Sequence, residues 1–90
     1  MSSNDNELFK YTAISASALI NDSLTRLGGL FVSSASGATI TIYDNAAASG
    51  AIAIASFTPV AGVNYAFPAL LKNGCYVSVT GTLSATVFWV

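Results

Sequence analysis

The chain has no histidine, one cysteine, one tryptophan and two prolines, and only three basic and four acidic side chains in 90 residues. Each shortage excludes something. Without histidine there is no imidazole base, no histidine-dependent triad and no histidine-held zinc. One cysteine, Cys75, closes no internal disulfide, and its place in an apolar strand pattern reads as packing rather than reactivity. Charged residues make up 8% of the chain, against about 25% in an ordinary soluble domain. The three cations, Lys10, Arg26 and Lys72, are scattered, so no stripe can track phosphates and nucleic acid is not an expected partner. There is no polybasic patch for an anionic membrane either.

Residues 45–71 and 73–90 carry no charge at all. Gly50, Pro59, Gly62, Asn64 and Pro68 interrupt the first run, and Asn73, Gly74 and Gly81 the second, which argues against a transmembrane helix. The opening MSSNDNELFK holds two acids and no apolar core, so it does not read as a secretory signal. A soluble chain is expected. Asn21-Asp22-Ser23 fits a glycosylation sequon but reads as a turn. The carboxylates Asp5, Glu7, Asp22 and Asp44 fall on a polar arm, a turn and a strand end, with nothing to pair them for acid–base work. Asp44-Asn45 supply far fewer oxygens than the roughly six to eight that calcium takes. No catalytic, cofactor-binding or metal-ligating residue is assigned, and no enzyme activity is expected.

What is abundant is apolar: 53% of the residues, too many for a body of this size to hide inside. Residues 1–7 form a polar N-terminal arm, and 8–90 a single domain. Within it Val, Ile, Thr, Tyr and Phe gather in short runs bounded by turn formers. Strands are predicted near 8–14, 17–20, 27–34, 38–44, 51–57, 63–67, 75–80 and 82–89, with 16–27 able to hold a helical turn instead. The stretch ATITIYDNAAASGAIAIASF reads as a hairpin turning at DNAAASG. Ile40 and Ile42 form one face, and Thr39, Thr41 and Tyr43 the other. Ile52 and Ile54 alternate with alanines, as in a strand covered on both sides. Asn73-Gly74 predicts a second hairpin, and Gly81 a third turn. Gly28-Gly29 reads as a bulge, and Pro68 as an edge or a strand end. Leu83, Ala85, Val87 and Trp89 share one face of the last strand, with Trp89 expected to be largely buried. Tyr43 and Tyr76 read as packing rather than as sugar-stacking platforms. The expected fold is a compact antiparallel β-sandwich of seven or eight short strands, jelly-roll-like or immunoglobulin-like.

The segments YTAISASALI, RLGGLFVSSASGATITIYDNAAASG, FTPVAGVNYAFP and NGCYVSVTGTLSATVFWV together resemble small proteins encoded in the structural gene clusters of tailed bacteriophages. The resemblance covers residues 11–90. It implies a virion component made in the bacterial cytoplasm: a capsid decoration (cement) protein or part of a head or tail appendage, bound to the major capsid protein or another virion protein. It assigns no individual residue a role. A carbohydrate-binding module is the alternative class. Surplus apolar surface suits a self-associating protein, and a homotrimer fits the three-fold positions of a capsid. Leu8, Phe9, Tyr11, Ile52 and Ile54 are the residues expected at that assembly interface.

Overall fold

Alternating β-branched and hydroxyl residues make strands throughout, and the six observed are β1 (Lys10–Ile14), β2 (Ala18–Asn21), β3 (Thr25–Tyr43), β4 (Ile52–Phe57), β5 (Asn64–Leu71) and β6 (Cys75–Trp89). The computed structural model describes residues 9–90. The arm assigned to residues 1–7 lies outside the described residues, as does Leu8. All pairings are antiparallel and belong to one sheet. The long strands β3 and β6 pair with each other at its centre. On the far side of β6 lie β1 and β2, one at each end. On the far side of β3 lie β5 and β4 in the same way.

Six strands stand where seven or eight were expected, because the expected turn at Gly81 and the expected break between 34 and 38 are both kinks within longer strands. Residues 27–34 and 38–44 run together as β3, and 75–80 and 82–89 as β6. Pairing persists across the break, from Ser36 opposite Thr82 to Thr39 opposite Thr80. Gly37 and Gly81 both have positive φ, 59° and 76°. A Cβ on Gly81 would strike the Gly37 carbonyl oxygen, so the two backbones cross closer there than side chains permit. Hydroxyls replace lost ladder bonds nearby. Ser17 Oγ donates to the Val79 carbonyl and accepts from the Val79 N–H, and Ser33 Oγ donates to the Ser84 carbonyl.

The kink folds the sheet back on itself. If straight, β3 would span about 60 Å. Yet Leu71, opposite Thr25 at one end of β3, connects to Tyr76, opposite Tyr43 at the other, through four intervening residues, a reach of no more than about 19 Å. Asn73-Gly74 therefore does not make a hairpin. It joins β5 to β6, which flank β3 on opposite sides and do not pair with each other. The turns meet at this open end. Asp44 Oδ1 accepts from the Asn73 N–H, and Asn21 Nδ2 donates to Thr25 Oγ1 at 2.9 Å. Asn45 organises its own loop through Ser49.

Between the two halves lies the core, which includes Leu27, Leu30, Val32, Ile40, Ile42, Leu71, Val77 and Val87, each at most 2% exposed. Burial of such a side chain is worth about 1.5–3 kcal/mol. The strand reading prevails over a helical turn at 16–27, and the hairpin at 38–57 is as expected, closed by Asp44 N–H to the Ala51 carbonyl. Gly28 is the extra residue of a bulge against β6, between Leu27 opposite Trp89 and Gly29 opposite Phe88. Pro68 sits inside β5, not at its end. It falls where that edge strand breaks register with β3, between Ala66 and Ala69, so no ladder bond needs its missing N–H. Trp89 is largely buried against the core, as expected, though not fully. It caps the core, its Nε1 donating to Thr12 Oγ1 at 3.0 Å, with Lys10 Nζ 5.0 Å from its ring centroid.

Candidate interaction surface

Residues opposite one another in antiparallel strands share a face, so the register shows what points away from the core. One outward row runs Tyr11, Phe88, Gly29, Ala66 across β1, β6, β3 and β5, and the next runs Ala13, Thr86, Phe31, Asn64. Phe9, just ahead of β1, lays its ring over the Gly28 bulge. A Cβ at Gly28 would come within 2.5 Å of that ring, and one at Gly29 would meet the Tyr65 carbonyl oxygen. The glycine pair thus serves the bulge and the seating of Phe9 together. Beside it a shallow hollow of about 300 Å³ opens over Gly29 and Ala66, walled by Phe9, Phe88 and Asn64. No charged side chain lines it.

Phe9, Tyr11, Phe31, Leu70 and Phe88 are exposed on this half, from 36% for Phe88 to 74% for Tyr11. Two of the five residues expected at an interface, Phe9 and Tyr11, therefore sit together here. Ile52 and Ile54 sit elsewhere, on edge strand β4. The expectation that this strand is covered on both sides does not hold within the chain: Ile52 is 54% exposed and Ile54 only half-buried. Two breaks in the register of β4 with β3 account for the lost alternation. Phe31, Leu70 and Phe88 were missed. For Phe88 the signal was present, since assigning Leu83, Ala85, Val87 and Trp89 to the core left it facing outward.

The opposite outer face, around β3 and β6 near their turn ends, is built of hydroxyls. Tyr43 stands opposite Tyr76, Thr41 opposite Ser78 and Thr39 opposite Thr80. Thr41 Oγ1 and Ser56 Oγ share a hydrogen bond of 2.5 Å. Among the described residues, no buried side-chain nitrogen or oxygen lacks a partner. No group of three or more His, Cys, Asp or Glu side chains there could hold a metal, and no helix is long and apolar enough to cross a membrane.

Cys75 is buried at the open end. Burial first, and the Asp44 carboxylate second, push its thiol up from 9.0 to about 11. A raised acid favours the protonated form in the fold, so this contribution to stability is full below about pH 9 and is lost as pH climbs toward 11. Urea titrations at pH 8 and pH 10 should show a lower midpoint at pH 10 in the wild type, and a smaller fall in Cys75→Ala. Equal falls in both would remove the thiol from the account.

The chain matches no family model, and no curated protein or solved structure is significantly similar to it.

Proposed function

We propose that this protein is a non-enzymatic structural component of a tailed-phage particle, a capsid decoration protein that binds the capsid as a homo-oligomer. The observation that carries the reading is the apolar outer surface around Phe9, Tyr11, Phe31, Leu70 and Phe88, on a domain whose buried side-chain nitrogens and oxygens, among the described residues, all have partners within the chain. Such a surface favours association over solvent. A trimer suits the three-fold positions of a capsid lattice, and the folded sheet is taken as a two-layer β-sandwich. Phe57 of β4 packs on Tyr65 and Phe67 of β5, with centroids 5.1 and 5.6 Å apart, in keeping with two stacked layers.

The test is light scattering on the purified protein, followed by co-sedimentation with phage heads. The expected result is an oligomer at micromolar concentration that travels with the particle. Ile52→Lys, at an exposed edge position, should leave the melting temperature within a few degrees of wild type while weakening particle binding. A stable monomer with no affinity for heads sinks the proposal. A monomer that binds a neutral glycan moves the protein to the carbohydrate-binding class.

A further inference from the structure

The outward row on the apolar face has an order: Tyr11 and Phe88 are large, Gly29 and Ala66 small. Large, large, small, small is a sequence that complements its own reverse. A two-fold axis along the strands, between β6 and β3, would set Phe88 over Gly29 of a second copy and Tyr11 over its Ala66, and the converse. The next row agrees, since Phe31 falls opposite Thr86 and Asn64 opposite Ala13. We propose that a second copy of this chain docks face to face on this surface, with Tyr11 of each copy seated in the hollow over Gly29 and Ala66 of the other.

Three observations support the occupant. Among the described residues Tyr11 is the most exposed large apolar side chain, at 74%, while the hollow in its own row holds about 300 Å³, enough for one aromatic ring. An exposed aromatic beside an apolar hollow is the anchor-and-pocket arrangement that dominates binding at protein interfaces. The area is also sufficient. At about 150–250 Å² per aromatic side chain, the exposed parts of Phe9, Tyr11, Phe31, Leu70 and Phe88 leave roughly 400–600 Å² of apolar surface. With a polar rim that includes Thr86, Asn64 and Arg26, this approaches the roughly 800 Å² per partner of a standard interface. Finally, neither row carries a charged side chain, so no like charges meet between the rows, and Arg26 lies outside them at the solvated rim. An isologous contact requires this self-complementarity.

The inference rests on self-association and on neither the phage reading nor the number of copies. Combined with the three-fold proposed above, a two-fold contact closes at six copies; without it, at two. The test uses Tyr11→Ser, Ala66→Trp and the double variant, all at exposed positions, with light scattering for mass and circular dichroism for folding. Each single change should raise the dissociation constant of the contact by about 30-fold or more, the scale of a lost aromatic anchor, and halve the observed mass. The double variant exchanges large for small at both positions, and it should recover the wild-type mass. Wild-type mass in both folded single variants, or failure of the double variant to reassociate, overturns the two-fold contact and leaves the homo-oligomer standing. A wild type that is monomeric at micromolar concentration overturns both.

Discussion

Gly81→Ala should destabilise the protein by about 2–5 kcal/mol, whereas Gly37→Ala should cost only about 1–2. The two glycines share the fold line and both have positive φ, so each replacement incurs the left-handed penalty of roughly 1–2 kcal/mol. Only one meets an obstacle. A Cβ at Gly37 has nothing within 4 Å, while one at Gly81 would overlap the Gly37 carbonyl oxygen and lie 2.9 Å from the Ala38 Cα. Backbone atoms cannot rotate aside like a side-chain tip, so β3 and β6 must separate, at a further 1–3 kcal/mol or so. Denaturant midpoints of the two variants measure the difference directly. Equal losses would mean that the close crossing of the strands does not constrain the fold.

The second large effect is expected in the core. Leu30 is fully buried, in an inward row with Thr12, Val87 and Tyr65. Leu30→Ala should lose about 2–5 kcal/mol, the transfer of the missing carbons plus the cavity they leave. In a domain of this size that lowers the melting temperature by about 10 °C or more. Leu70→Ala, compared at a concentration where protomers are dissociated, is the control: Leu70 is 54% exposed on the outer face of the single chain, and a surface truncation of that kind stays within about 0.5 kcal/mol. Similar losses at the two positions would contradict the inward and outward assignment.

How far the sequence could be read depends on whether the deciding interaction is local. The 38–57 hairpin was legible because its turn residues and alternating isoleucines act within twenty positions. The odd-numbered face of β6 was legible for the same reason, and so was the bulge at Gly28. Asn73-Gly74 was misread because a turn dipeptide specifies a reversal of the backbone, not the strand that follows it. Here β3 takes both flanking positions, since pairing there buries Leu27, Leu30, Ile40 and Ile42 on one surface. By sequence Gly81 signals a chain reversal and residues 35–37 a gap between two strands, and only the proximity of Gly37 and Gly81, 44 positions apart in the sequence, shows that they are a paired kink. The surface was half legible. Phe9 and Tyr11 stood out as aromatics beside a polar arm, but their partners Phe31, Leu70 and Phe88 come from three other strands that only the register unites.

The pairing of β1 with the far end of β6 also sets an order of events. Lys10 lies opposite Trp89 and Ile14 opposite Ala85, and Thr12 receives the indole N–H of Trp89 across 77 positions. On the ribosome, β1 therefore has no strand to pair with until residues 85–89 have been synthesised and have left the exit tunnel. The half of the sheet that carries Phe9 and Tyr11 closes only once the end of β6 is in place. Contacts of such long sequence separation form slowly, on the millisecond-to-second scale typical of β proteins. Throughout that interval the apolar residues of β3 are without half of their cover.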